Sequence, residues 1–190
     1  MEEKKERILS IAQKIFARFG INKTTMDEIA KMARMGKATL YYYFKSKEDI
    51  FAEVIHKESN ILKQKLSEAI NKVKTPKEKI TAYVLTRMKH LKELVNYYSA
   101  LTDDYLDHYS FVEKERQNFT HYEMDTLKNI LFAGNNEGVF QVKDVDVTAR
   151  MLTIALKGLE YPLIIEDKAV DIETEINLML DILFKGMEKR

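Results

Sequence analysis

Residues that form turns are scarce in this chain. Only 6 glycines and 2 prolines are spread over its 190 residues. A β-sandwich or a phosphate-binding α/β fold needs many such residues at its turns, whereas long helices need few. The capping-box pattern marks helix starts at Thr25–Glu28, Thr75–Glu78 and Ser110–Glu113, each followed by apolar residues at helical spacing. The sequence therefore predicts an all-helical protein.

About nine helices account for the apolar periodicity. They are predicted near residues 4–19, 26–33, 37–43, 47–72, 76–99, 103–109, 111–133, 146–165 and 172–188. A loop at residues 134–138 carries two glycines and is the clearest break. The short helices at the N-terminus predict a small domain at residues 1–46, and the longer ones predict a helical bundle at residues 47–190.

Composition narrows the classes of protein further. The chain has no cysteine, which excludes disulfide scaffolds, cysteine-ligated metal sites and thiol nucleophiles. No apolar run approaches the roughly 18 residues that a membrane span needs. The first ten residues, MEEKKERILS, are charged from the second position onward, unlike a signal peptide. We therefore expect a cytoplasmic protein that does not contact a membrane.

The net charge of +1 conceals an uneven distribution. Residues 1–47 carry 11 Lys and Arg against 5 Asp and Glu, a net charge of +6, whereas residues 48–190 carry 20 against 25, a net charge of −5. A basic segment on an otherwise acidic chain indicates contact with nucleic acid or an anionic surface. Chance distribution of solvated charges is the competing interpretation.

Residues 26–44 have the pattern of a helix-turn-helix. Ala30 is a small residue at which two helices can cross closely, and Leu40, ten residues later, anchors the second helix to the core. With Leu40 and Phe44 facing inward, the residues that point most directly outward are Ala38, Thr39 and Tyr42, flanked by Lys37 and Tyr41. Such a face can contact phosphates, base edges and a thymine methyl group.

At these residues the chain resembles the TetR (tetracycline repressor) family of transcriptional regulators. The resemblance is carried by TMDEIA at 25–30, KATLYYYF at 37–44 and KSKEDI at 45–50, and more weakly by EGVFQVKD at 137–144. It implies a three-helix DNA-binding domain followed by a C-terminal domain that binds a ligand and dimerises. The DNA-binding residues that it implies are Thr25, Lys37, Ala38, Thr39, Tyr41, Tyr42, Tyr43 and Lys47, with Lys47 binding a phosphate.

Two residues depart from the family pattern. Arg34 stands at a turn position that is commonly glycine, where a left-handed backbone costs an arginine on the order of 1 kcal/mol. Either the turn differs, or Arg34 contributes a phosphate contact, or the strain is simply tolerated. Asp27 stands where some members have a cation that contacts DNA, which argues against a base contact from the first helix of the motif.

The last two helices are apolar on most of their circumference. A helix of that kind is buried on several sides, either at the centre of the monomer or against a partner subunit. The resemblance implies that these helices pair with their copies as a four-helix bundle in a homodimer. The residues that we expect at this interface are Met151, Ala155, Leu159, Met179 and Leu183.

Aromatic residues are concentrated at 97–122, which holds 7 of the 19 in the chain. Such enrichment suits core packing or a cavity lined by rings with polar tips. The resemblance places effector pockets in this region, and we expect ligand contacts from Tyr97, Tyr98, Phe111 and Tyr122. The stretch has no cluster of cations, only Arg87 and Arg116 as scattered candidates, with His108 and His121. A strongly anionic ligand would need buried, paired cations, so we expect a largely apolar small molecule that is neutral or weakly charged.

Two other functions are weighed against a regulator. Asp103, Asp104 and Asp107 have the spacing of the aspartate-rich motif of helical prenyl transferases, which bind Mg²⁺ and a diphosphate. No second acidic cluster accompanies them, and a simpler interpretation is that Asp103 caps a short helix with Asp104 and Asp107 near its positive N-terminus. A helical adaptor would account for the bundle but not for the basic segment. We therefore expect no enzyme, no metal and no cofactor.

The sequence thus predicts a ligand-responsive transcriptional regulator, most simply a repressor. As a dimer it would bind double-stranded DNA at a palindromic operator and be released by its small-molecule effector.

Overall fold

The computed structural model describes residues 2–90, 105–165 and 172–187. Eight helices make up most of this described part of the chain. They are α1 (Glu2–Phe19), α2 (Met26–Met32), α3 (Lys37–Tyr43), α4 (Lys47–Asn71), α5 (Pro76–Lys89), α6 (Tyr105–Asn136), α7 (Val145–Ile165) and α8 (Ile172–Met187). The all-helical prediction is confirmed.

Local sequence signals set most of the helix ends. Gly20, with a φ of 77°, follows the last residue of α1, as a left-handed C-terminal residue does. Thr25 and Thr75 each cap a helix, and each forms the full reciprocal box with the glutamate three residues later. Pro76 stands at the first turn of α5, where its missing N–H costs nothing.

The middle of the chain differs from the prediction. One continuous helix, α6, covers the region in which two helices were expected, so the assignment of Ser110 as a helix cap is wrong. Neither Gly nor Pro occurs between residues 105 and 133, and nothing in that stretch forces the backbone out of a helix. Helix α5 also ends earlier than predicted, at Lys89 with His90 as its C-cap. The rest of the expected helix 76–99 lies outside the described residues.

The predicted loop at 134–138 begins three residues late, because α6 continues through Gly134 to Asn136. The ring of Phe140 packs directly on Gly134, where an added Cβ would lie 2.1 Å from a ring carbon. Gly138, with a φ of 71°, reverses the chain, and the Asn135 side chain bonds to both backbone groups of Val142. This turn delivers the chain to α7.

The described residues fall into two compact units. The first lies within Met1–Asn60 and Leu94–Arg116, and the second within Ile61–Glu93 and Gln117–Arg190. The apolar core of the first unit includes Ile8, Phe16, Ile29, Leu40 and Phe51. The core of the second includes Leu66, Tyr83, Leu127, Phe140 and Phe184.

None of the helices in the described part of the chain combines the length and the apolarity that a transmembrane segment needs.

Candidate nucleic-acid interface

Helices α2 and α3 form the helix-turn-helix, and their inward faces hold it on the core. Ile29 and Ala30 of α2 are buried, and so are Leu40 of α3 and Phe44, which follows it. Ala30 and Leu40 therefore occupy the crossing and anchoring positions that their spacing predicted. The opposite face of α3 is left for contact with another molecule.

The outward face of α3 is aromatic and polar. Tyr42 is 72% exposed and Tyr41 is 50% exposed, and Lys37 and Ala38 are also exposed. Thr39, which was expected to point outward, is only half-exposed. Phenol hydroxyl groups on such a face can donate to phosphate oxygens or base edges.

Tyr43 supports the exposed face from the side. It is half-buried, and its ring meets the ring of Tyr42 edge to face, with 5.2 Å between the centroids. Edge-to-face contacts of this kind are favourable and restrict the orientation of both rings. Tyr43 therefore orients Tyr42 while remaining partly accessible itself.

Lys37 opens α3 and is paired with an acid from α2. Its Nζ lies 2.5 Å from Oδ2 of Asp27, and both side chains are more than half exposed. The hydrogen bond and the charge of Asp27 raise the pKa of the Lys37 ammonium. The negative charge of Asp27 lowers the positive potential at the N-terminus of α3, where base contacts are expected.

Thr25 is exposed, but its hydroxyl group is engaged in the cap of α2. The hydroxyl accepts a hydrogen bond from the backbone N–H of Glu28 and donates one to the Glu28 carboxylate. The carboxylate also accepts from the backbone N–H of Thr25. These hydrogen bonds lower the pKa of Glu28. Thr25 therefore fixes the start of α2, as predicted, and its phosphate contact stays a prediction.

Lys47 makes hydrogen bonds within the protein, and its phosphate contact stays a prediction. Its Nζ donates to the backbone carbonyl oxygens of Ile21, Thr24 and Asn22, at 2.9, 3.2 and 3.3 Å. The side chain of this first residue of α4 thus reaches the loop between α1 and α2. Sequence reasoning missed this contact because it joins residues more than 20 positions apart.

Arg34 resolves the question about the turn. Its φ is 51°, so it takes the left-handed conformation that glycine favours. The N–H of Arg34 bonds to the carbonyl of Lys31, and the N–H of Met35 bonds to that of Ala30. These are the two hydrogen bonds of a Schellman motif, which ends α2 with an arginine in the usual position of glycine.

The family profile for bacterial regulatory proteins of the tetR family matches residues 8–54, which span α1 to the first turns of α4. This matched region is a DNA-binding region of the TetR family type. The resemblance stated from the sequence motifs is therefore confirmed. The matched residues contain every DNA-binding residue that the resemblance implied.

Full-length relatives agree with this assignment. The HTH-type transcriptional regulator QacR of Staphylococcus aureus is 29% identical over 163 residues, which cover 82% of this chain and 83% of that protein. The fatty acid metabolism regulator protein of Bacillus subtilis is 23% identical over 97% of this chain and 95% of its own length. A transcriptional regulator from Cytophaga hutchinsonii has a structure with a TM-score of 0.75, at 27% identity, covering 97% of this chain and 98% of its own.

Helices α7 and α8 expose apolar side chains. On α7, Met151 and Ile154 are 48% and 55% exposed. On α8, Leu178 and Ile182 are 61% and 74% exposed. Of the predicted interface residues, Met151 and Ala155 are exposed and Leu159, Met179 and Leu183 are half-buried. Ile154, Leu178 and Ile182 were not among the predicted interface residues, because exposure on a nearly all-apolar helix cannot be assigned from spacing alone.

The predicted effector residues occupy different parts of the chain. Tyr97 and Tyr98 lie outside the described residues. Phe111 belongs to the first unit, where its ring stacks on Phe51 with 6.5 Å between the centroids. Tyr122 belongs to the second unit and is half-buried, with its hydroxyl group donating to the carbonyl of Lys63 at 3.2 Å.

Tyr122 lines a cavity of about 360 Å³ between α4, α5 and α6. Burial raises the pKa of its hydroxyl group, which is therefore neutral at physiological pH. The cavity wall combines apolar with small polar side chains. Its other lining residues are Ser67, Ile70, Asn71, Pro76, Lys79, Thr126, Asn129, Ile130 and Ala133.

A buried ionic cluster joins three helices of the second unit. Arg87 of α5 donates to Glu123 of α6 and to Glu160 of α7, both at 2.5 Å. The hydroxyl group of Tyr83 donates to Glu123 at 3.1 Å. Arg87, named above as a scattered cation, is thus compensated by two carboxylates inside the protein.

Only part of the aspartate-rich motif that suggested a prenyl transferase lies within the described residues. Asp103 and Asp104 lie outside the described residues, and Asp107 lies in the first turn of α6. In the described part of the chain, no group of three or more His, Asp or Glu side chains could hold a metal ion.

Proposed function

We propose that this protein is a transcriptional regulator that binds double-stranded DNA through the exposed face of α3. The observation that carries the proposal is the face formed by Lys37, Ala38, Tyr41 and Tyr42 on a helix whose other side is anchored by Leu40 and Phe44. Such a helix enters a major groove with its N-terminal residues at the base edges. The net charge of +6 on residues 1–47 supplies the attraction to phosphates.

The site residues divide by chemistry. Ala38 and Thr39 are placed for base contacts near the start of α3, and Tyr41, Tyr42 and Tyr43 for phosphate or base contacts along its length. Thr25 lies at the N-terminus of α2, where the helix dipole favours a phosphate. Lys37 contacts Asp27, and its ammonium group reaches a phosphate either with another of its three N–H groups or by exchanging that partner.

The protein acts as a homodimer in this proposal. The exposed apolar side chains of α7 and α8 supply the self-complementary surface that a twofold interface requires. Two recognition helices then reach successive major grooves, so the operator is palindromic with half-sites roughly 34 Å apart.

The effector in this proposal is a largely apolar small molecule that is neutral or weakly charged. Compensation of Arg87 by Glu123 and Glu160 supports it, because a strongly anionic ligand needs a cation that the protein has not already neutralised. The relationship to a fatty acid metabolism regulator favours an apolar ligand as well. Binding of this effector releases the protein from its operator, so the protein acts as a repressor in this proposal.

The DNA-binding role is tested by comparing two aromatic residues of the same segment. Tyr42→Ala removes an exposed ring, so DNA affinity falls while the melting temperature stays near that of the wild type. Phe44→Ala removes a buried ring and costs about 3–5 kcal/mol of stability. Operators are first selected from genomic fragments, and affinity is then measured by fluorescence anisotropy over a salt series. Wild-type protein that shows no salt-dependent binding to any fragment contradicts the proposal.

The effector is tested by thermal shift with matched aromatic, aliphatic and polyanionic compounds. A ligand of the native state raises the melting temperature as its concentration exceeds its dissociation constant. We expect stabilisation by apolar members of the series and a smaller effect in a Tyr122→Ala variant. Stabilisation by polyanions alone, unchanged in that variant, contradicts the proposed ligand class.

A further inference from the structure

Lys47 places its ammonium group at the centre of the loop that joins α1 to α2. The group has three N–H donors, and three backbone carbonyl oxygens lie within hydrogen-bond distance of it. They belong to Ile21, Asn22 and Thr24, at 2.9, 3.3 and 3.2 Å. Each donor of Lys47 therefore has an acceptor within the protein.

The loop that Lys47 holds leads directly into the helix-turn-helix. Thr24 is buried, and its hydroxyl group donates to the carbonyl of Gly20 at 2.8 Å. The next residue, Thr25, is the N-cap of α2. The position of the loop thus fixes where α2 begins, and α2 packs against the recognition helix α3.

The start of α4 is itself held in place by α1. Lys5 pairs with Glu53 at 3.2 Å, Gln13 donates to Glu58 at 2.9 Å, and the ring of Phe16 meets that of Phe51 edge to face. These contacts are independent of Lys47. Loss of the Lys47 ammonium group would therefore release the loop while leaving α4 attached to α1.

We infer that Lys47 is a positioning residue of the DNA interface, which acts by holding the α1–α2 loop and the N-terminus of α2. This inference rests on the proposed DNA-binding function and replaces the phosphate contact expected of Lys47. A phosphate contact would require the ammonium group to give up carbonyl acceptors that it already holds. In the positioning role, the ammonium group keeps all three hydrogen bonds to the loop.

Two variants of Lys47 distinguish its hydrogen bonds to the loop from its positive charge. Lys47→Met keeps the length of the side chain and removes the ammonium group. Lys47→Arg keeps the positive charge, but its planar guanidinium cannot direct three N–H groups from one nitrogen atom. Lys45→Met is the matched control, because it removes a cation from an exposed position two residues away.

DNA affinity is measured as a function of salt concentration for the wild type and each variant. A positioning residue predicts that Lys47→Met and Lys47→Arg both weaken binding, the former by about tenfold, with an unchanged slope of log K against log[salt]. Hydrogen exchange of the backbone amides of residues 24–29 should accelerate in both variants and not in Lys45→Met. This exchange is measured without DNA, so it reports on the loop directly.

A phosphate contact predicts different results. Lys47→Met would then lower the salt slope by about 0.9 for each phosphate that the side chain no longer neutralises. Lys47→Arg would bind like the wild type, and exchange at residues 24–29 would not change. Any of these three results overturns the inference while the proposed function stands. If the wild type itself binds no DNA, the proposed function fails, and the assignment of Lys47 to a DNA interface fails with it.

Discussion

Arg34 keeps its backbone in a conformation that costs free energy. With a φ of 51° it ends α2 where glycine is usual. Relief of that strain by Arg34→Gly outweighs the greater freedom of glycine in the unfolded chain, so we expect a gain of about 0.5–1 kcal/mol in the free energy of unfolding. Urea denaturation measures the gain.

Arg34→Ala is the matched control for that prediction, because it removes the long side chain and keeps the strained φ. We expect no gain from Arg34→Ala. Equal stabilisation by both variants would assign the effect to the side chain of Arg34 rather than to its backbone.

At the scale of the single helix, two similar sequence patterns have different outcomes. Thr75 caps α5, so Thr75→Ala should cost about 1 kcal/mol. Ser110 lies inside α6, and Ser110→Ala should be neutral or slightly stabilising, because alanine has the higher helix propensity. Denaturant melts of the two variants check this contrast. A comparable loss in both would contradict the continuity of α6.

The capping box of Thr75 and Glu78 at the start of α5 makes the stability of the protein depend on pH. Hydrogen bonds from Thr75 and Lys74 hold the pKa of Glu78 below its ordinary value of 4.5. A lowered pKa means that the stabilisation is complete above pH 4.5 and is lost as the pH falls through the folded-state value. We expect a Glu78→Gln variant to lose less stability than the wild type between pH 6 and pH 3 (roughly the titration range of a carboxyl group). Parallel pH dependence in the two proteins would exclude the effect.

The sequence predicted features that depend on neighbouring residues and missed those that depend on residues far apart in the chain. Local signals were sufficient for the caps at Thr25 and Thr75 and for the anchors Leu40 and Phe44. The carbonyl contacts of Lys47 and the Arg87 cluster were not predictable, because their partners are distant in the sequence. The prediction of a helix start at Ser110 was wrong, because a capping pattern inside an uninterrupted apolar periodicity does not begin a new helix.

At the scale of the whole molecule, the buried Arg87 cluster holds the second unit together. Arg87→Met leaves Glu123 and Glu160 buried without their cation, and we expect a loss of about 3–5 kcal/mol. The control is the triple variant with methionine at all three positions, which removes the charges together and should recover most of that stability. A triple variant less stable than the single one would show that packing, not charge, dominates. Thermal and urea unfolding distinguish the two outcomes.

The exposed apolar side chains of α7 and α8 predict how the molecule assembles. Ile182 is 74% exposed, so an aspartate there has little effect on the fold of one subunit but places a charge in the proposed interface. We expect Ile182→Asp to be monomeric by light scattering, with a far-UV spectrum like that of the wild type. Asn177→Asp introduces the same charge at another exposed position of α8 and should remain dimeric. Because one recognition helix reaches only half of a palindrome, the Ile182→Asp monomer should bind the full operator about as weakly as a single half-site. A dimeric Ile182→Asp protein with full operator affinity would place the interface elsewhere.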